Sequence, residues 1–139
     1  MKLPKETIIK LLKRGDKDFF PHLSEQVNIE AYADKLERFA DFKLIGTSDN
    51  ILGCVAYYKN YPNSFLFVTH IWINRLCQRK GYGRFLLEKL INEEGAGVNE
   101  LLLEVYKADE TALSFYENLG FKAKEDRDDR ILFSKIIRN

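Results

Sequence analysis

The residues most suggestive of chemistry are the run Gln78-Arg79-Lys80-Gly81-Tyr82-Gly83. Arg75, Arg79, Lys80 and Arg84 place four cations in or beside it, with no acidic residue from Asn74 to Phe85. The two glycines let a ligand approach the backbone closely. If the run opens a helix, the first turn leaves N–H groups without internal partners, and these donors together with the helix dipole favour anionic oxygens. The chemistry in view is phosphate binding by main-chain amides. It is not one of the common nucleotide loops: no G-x-x-x-x-G-K-[ST] occurs, and Leu86 stands where the third glycine of G-x-G-x-x-G would fall.

Other reactive side chains are scattered. His70 lies in an apolar run, on the same side of a strand as Trp72 by alternation, and its reference pKa of about 6.5 suits proton transfer. Glu104 interrupts Leu101 to Val105; burying it unpaired would be costly, so it belongs either to a cleft or to an ion pair. Cys77 has cationic neighbours that favour a thiolate but no histidine in sequence reach, and reads as a surface or packing residue. Cys54, Cys77, His22 and His70 form no C-x2-C or H-x3-H pair, so no metal is expected, and both thiols are expected free.

The elements that must position these groups follow from periodicity. Ile8, Ile9, Leu11 and Leu12 mark a short helix from Pro4 to Arg14, stopped by Gly15-Asp16. Ile29, Tyr32, Ala33, Leu36, Phe39 and Ala40 form one face of a second helix, with Asn28 as N-cap. Phe42 to Ile45 and Ile51 to Tyr58 read as a hairpin turning at Thr47 to Asn50, and Phe65 to Ile73 as a central strand. A helix from about Gly81 to Glu94 and a strand from Leu101 to Val105 complete a βαβ unit with parallel strands. A helix from near Asp109 puts Ala112, Phe115, Tyr116 and Leu119 on one face and stops at Gly120. Two closing strands, Phe121 to Lys124 and Ile131 to Ile137, flank a charged hairpin tip from Glu125 to Arg130. The fold class is α+β, mostly antiparallel with one parallel pair.

Composition narrows the functions. With 139 residues, 45% of them hydrophobic, one domain spanning 1–139 can stand on its own core. A formal charge of +1 gives no field for holding polyanions, so nucleic acid is not an expected partner. The longest stretch without charged, amide or hydroxyl-alcohol side chains, Ile51 to Tyr58, is far short of the roughly 18 to 20 apolar residues of a membrane span, and the start lacks a secretory h-region. A cytoplasmic location is expected; the chain can be a monomer or a homodimer.

The pattern Q-x-x-G-x-G at Gln78 to Gly83, after the strand Ile71-Trp72-Ile73, resembles the acetyl-CoA-binding motif of the GCN5-related N-acetyltransferases. Leu103-Glu104-Val105, then Ala112, then Phe115-Tyr116-Glu117-Asn118-Leu119-Gly120-Phe121, resembles that superfamily's later strand-helix-strand segment. The departures are Asp109 where many members carry Asn, Arg79 where Gly is frequent, and Cys77 where an aromatic is common. The resemblance implies a mixed six- to seven-stranded sheet, flanked by about four helices, whose central parallel strands splay apart. It implies acetyl-CoA as co-substrate. The loop of Gln78, Arg79, Lys80, Gly81, Tyr82 and Gly83, with Arg84 and Phe115, would hold the cofactor, its amides taking the pyrophosphate. Main-chain groups of Ile71 and Ile73 would pair with the pantetheine arm like an added strand, and Asp109 would contact the arm.

Direct acyl transfer requires a neutral amine, donors for the oxyanion and a proton for the departing thiolate. The resemblance assigns that proton to Tyr116, whose phenol, with a reference pKa of about 10, is protonated at neutral pH. His70, Glu104 or a water chain removes the proton of the amine. Phe19 to Val27 and Lys59 to Ser64 are the segments expected to select the acceptor, with Phe19, Phe20, Pro21, His22, Tyr57, Tyr58 and Tyr61 as possible walls. The leading expectation is acetylation of a small amine, amino acid or amino sugar; the alternatives are a protein or peptide N-acetyltransferase and a non-catalytic acyl-CoA sensor.

Overall fold

The computed structural model describes residues 1–137; the last two positions of the 1–139 span expected as one domain lie outside the described residues. Helix α1, Lys5–Gly15, buries Ile8, Leu11 and Leu12, and ends on Gly15, where a Cβ would lie only 2.6 Å from the Trp72 indole. Helix α3, Ile29–Phe39, starts where the Asn28 side chain accepts a hydrogen bond from the Ala31 N–H at 2.9 Å and buries Ala33 and Leu36. Between them, within the segment Phe19 to Val27, lies a four-residue helix, α2, Leu23–Gln26, whose single turn is too short to show a period in the sequence.

Strands β1, Asp41–Thr47, and β2, Asn50–Asn60, form the expected hairpin. Strand β3, Phe65–Ile73, leads through a 3-10 turn at Arg75–Cys77 into helix α4, Tyr82–Glu94. Strand β4, Glu100–Tyr106, helix α5, Glu110–Asn118, and strands β5, Lys122–Arg127, and β6, Arg130–Ile136, complete the described chain. The charged tip is shorter than the sequence suggested. Main-chain pairing carries Glu125 to Arg127 into β5, leaving Asp128-Asp129 as the turn.

The six strands of the described residues run in the order β1-β2-β3-β4-β6-β5, antiparallel except for β3 and β4. All six residues of β5 are exposed, and its charged side chains protect that edge from further pairing. Two cores sandwich the sheet. On one face, α4 and α5 cover Val55, Tyr57, Leu66, Val68, Leu101 and Leu103; on the other, α1 and α3 cover Phe42, Cys54, Ala56 and Trp72. Among the described residues no helix is long and apolar enough to cross a membrane.

Candidate active site

The parallel pairing of β3 with β4 stops early. It joins Phe65–Val68 to Glu100–Leu103 and goes no further, although both strands continue. At the same point β3 gains a residue over β2: Ala56 pairs with His70 but Tyr57 with Val68, so Thr69 bulges. The bulge turns the strand over. Leu66 and Val68 belong to the α4–α5 core, whereas Trp72 belongs to the α1–α3 core and Ile71 and Ile73 now face α4 and α5. A cleft of about 530 Å³ opens there, walled by Val68 to Ile71 on one side and Leu103 to Tyr106 on the other.

The main chain along this opening has no neighbouring strand to pair with on the side of β4. The Asn74 N–H donates to the Leu52 carbonyl at 2.8 Å, and hydrogen-bonded pairs alternate along an antiparallel ladder, so Trp72 pairs with Cys54 and His70 with Ala56. The amide groups of Ile71 and Ile73 therefore point away from β2, toward β4, which no longer runs alongside. The Gln78 side chain takes one of them, donating to the Ile73 carbonyl at 3.1 Å.

Helix α5 links the opening to the loop before α4. Tyr116 is buried, stacked edge-on between Phe115 and Phe121, and lines the cleft. Burial, with the nearby Asp109 carboxylate, pushes its phenol above the ordinary value of 10.0, so it keeps its proton. Phe115, one residue earlier, is partly exposed and abuts α4: a Cβ on Gly83 would sit 3.0 Å from its ring. Asp109 also lines the cleft, but its side chain is the N-cap of α5, accepting from the Ala112 N–H at 3.1 Å.

The loop itself has the geometry of an anion cradle. Arg79 and Gly81 adopt left-handed φ angles of 63° and 80°, no side chain caps α4, and the first-turn amides of Tyr82, Gly83 and Arg84 face outward. The four cations are not equivalent. Arg75 is bound to Asp18 at 2.8 Å and Arg84 lies 3.8 Å from Glu88, whereas Arg79 and Lys80 are exposed.

Glu104 proves to be both things the sequence allowed. It lines the cleft, and its two carboxylate oxygens accept from Arg127 at 3.1 Å and Arg130 at 3.3 Å. His70 lies on the far side of the sheet with Trp72, as alternation suggested, yet it still lines the cleft through the bulge. Phe19 covers its ring at 4.9 Å, and burial depresses its pKa from 6.5 to about 4, so the imidazole is neutral.

The acceptor wall differs in part from expectation. Phe19, Phe20 and Tyr58 line the cleft, but Tyr57 points into the opposite core and neither Tyr61 nor His22 reaches it. Tyr32 and Lys35 of α3 take their place. Tyr32 sits at a helical spacing that reads as ordinary core, and only the bulge reveals its use: its hydroxyl donates to the Thr69 carbonyl at 2.9 Å and lies 2.7 Å from the Thr69 hydroxyl. Asp18 fixes the wall by accepting from the Trp72 indole at 2.9 Å as well as from Arg75.

Comparison with known proteins is consistent with this geometry. The family model described as Acetyltransferase (GNAT) family matches residues 6–121. The [ribosomal protein bS18]-alanine N-acetyltransferase of Salmonella typhimurium is 53% identical over 92 residues, which is 65% of this chain and 60% of that protein. This chain thus spans about 60% of the length of that curated relative. The crystal structure of the ribosomal-protein-S18-alanine N-acetyltransferase of Escherichia coli superimposes with a TM-score of 0.65 at 25% identity, covering 78% of this chain and 76% of that one. The PaiA N-acetyltransferase of Thermoplasma acidophilum, in complex with coenzyme A, superimposes with a TM-score of 0.75 at 18% identity, covering 98% and 96%. With the family model matching most of its length, the chain belongs to the acetyltransferase (GNAT) family.

Proposed function

We propose that this chain transfers the acetyl group of acetyl-CoA to the α-amine of a peptide or protein N-terminus, acting in the cytoplasm. This reverses the order expected from the sequence, where a small amine came first. The observation that carries the change is the 53% identity to an enzyme named for acetylating an alanine of a ribosomal protein. The chemistry of the cleft supports it. His70 is a weak base with a buried Nε2, and both oxygens of Glu104 are engaged by arginines, so no strong base faces the cleft. A lysine-type ammonium, with a pKa near 10.4, would stay charged there, whereas an α-amine near 7.7 to 8.0 is already partly neutral at working pH.

The residues divide the work as follows. Amides from Gln78 to Gly83, with Arg79 and Lys80, bind the pyrophosphate of acetyl-CoA. Ile71 and Ile73 pair with the pantetheine arm in the gap between β3 and β4 and so bring the thioester beside Tyr116. The amine attacks the carbonyl, forming the C–N bond as the C–S bond breaks. Tyr116 donates its proton to the departing thiolate. The proton of the amine leaves through water in the cleft.

The test is to incubate the protein with acetyl-CoA and an alanine-terminated peptide that also contains a lysine, following free thiol and locating the acetyl group by fragmentation mass spectrometry. Acetylation of the α-amine alone is expected. Acetylation of lysine or of small amines only would reverse the assignment, and cofactor binding with no thiol release on any acceptor would indicate a sensor.

A further inference from the structure

The acceptor half of the cleft contains polar atoms with no protein partner. His70 Nε2 and the Tyr58 hydroxyl are both fully buried and neither is hydrogen-bonded. Tyr58 leans toward the Thr69 hydroxyl, which lies 2.7 Å from Tyr32, without meeting it in hydrogen-bonding geometry. Both residues line the cleft, and they share a face of the sheet: Ala56 is the register partner of His70, and Tyr58 follows Ala56 by two residues. Phe19 and Tyr32 enclose the imidazole at 4.9 and 6.2 Å. This is a small, desolvated, aromatic-walled subsite with unmet hydrogen-bonding capacity.

A buried polar atom left unpaired costs about 1–3 kcal/mol, and folded proteins rarely keep one unless water or a ligand completes it. Burial holds His70 neutral, so the ring presents one donor and one acceptor, and a phenol presents both. A cation brought against this wall would lose its solvation and meet the Lys35 ammonium, which lies 5.5 Å over the Tyr58 ring. An uncharged group with both an N–H and a C=O is the complement, and a peptide unit is such a group. In an acceptor that presents its terminal amine at the thioester, the first peptide unit is the one nearest the reacting nitrogen.

We propose that His70 and Tyr58 hydrogen-bond the first peptide unit of the acceptor and thereby make the enzyme select a peptide terminus over a free amine; this rests on the peptide-terminus reading above. His70 is then a specificity-determining residue, and its place beside the cleft does not depend on proton transfer. Bonds made to the right acceptor and left unmade to the wrong one discriminate far more than apolar contact does.

The experiment compares two acceptors, an alanine-terminated peptide and the same peptide with its first amide replaced by an ester, which lacks that N–H. For the native protein kcat/KM is expected to fall about tenfold or more on that replacement. In His70→Leu and Tyr58→Phe the difference is expected to shrink to under about threefold, and His70→Gln to restore part of it. Tyr58→Phe removes only an unpaired oxygen and is expected to melt no lower than the native protein, so it carries the test if His70→Leu does not fold. Variants that slow both acceptors equally, or a native protein that does not distinguish them, overturn the proposal. If a serine-terminated peptide alone senses the variants, the partner is a side-chain hydroxyl and the peptide-unit assignment is wrong. Absence of native turnover on every peptide removes the peptide-terminus reading as well, whereas normal turnover with an unaltered ratio in the variants overturns this inference alone.

Discussion

The α4–α5 face of the sheet and the α1–α3 face meet at one cleft, and they define its two halves by different means. On the α4–α5 face the determinants are main-chain groups: unpaired amides at the head of α4, a left-handed Gly81 and the free edge of Ile71 and Ile73. On the α1–α3 face they are side chains, Phe19, Tyr32, Tyr58 and His70, with Tyr32 tied to Thr69 and the segment before Phe19 tied to Trp72 through Asp18. A site made from backbone constrains the sequence at few positions but constrains those strictly. A site made from side chains leaves the backbone free and can change its ligand by changing residues. The first arrangement fits the seat proposed for the cofactor and the second that proposed for the acceptor.

The comparison breaks most visibly at Gly81. A left-handed φ of 80° disfavours any side chain, and Gly81→Asp adds a carboxylate where the pyrophosphate would bind, so acetyl-CoA affinity is expected to drop by about a hundredfold or more in calorimetry. Next comes Tyr116→Phe, expected to reduce kcat at least about tenfold with acetyl-CoA affinity nearly unchanged, because it removes the proton donor proposed for the departing thiolate. Equal rates for the two proteins would deny the phenol its role. Asp18→Ala probes the other face. It leaves the buried Trp72 N–H without a partner, costing about 1–3 kcal/mol, and loosens the Phe19 wall. Steady-state kinetics is expected to show the peptide KM rising about three- to tenfold while the affinity for acetyl-CoA is preserved.

The smallest expected effect is a pH dependence of stability. His70 has a pKa of about 4 when folded against 6.5 for the ordinary group, so between those values the unfolded chain binds a proton that the folded chain rejects. Stability from this source is complete above pH 6.5 and is lost as pH falls toward 4. Melting curves of His70→Phe are expected to decline less steeply than the native protein across that interval; parallel slopes would show that the ring is not buried and neutral.

The cofactor half was legible because its geometry is written in local sequence. Gly81 and Gly83 stand where the chain must turn left-handed or pass against Phe115, the cations cluster within ten positions, and the motif order survives from Ile71 to Phe121. The acceptor half was mostly hidden. The Thr69 bulge carries no Gly or Pro to announce it, and because both faces of the sheet are covered, burial alternates unbroken along β3 while the strand changes sides. Tyr32 looked like core because it shares the apolar face of its helix, and Glu104 gave no sign of Arg127 and Arg130, which reach it from a hairpin more than twenty residues later.

The most direct test of the account is amide hydrogen exchange at β3 with and without coenzyme A. The Trp72 N–H, paired with β2, is expected to be protected in both states, whereas the Ile71 N–H is expected to exchange rapidly in the free protein and to become protected when the pantetheine arm fills the gap. An Ile71 amide already protected in the free protein, or unchanged at saturating coenzyme A, would contradict an open strand edge as the seat of the cofactor.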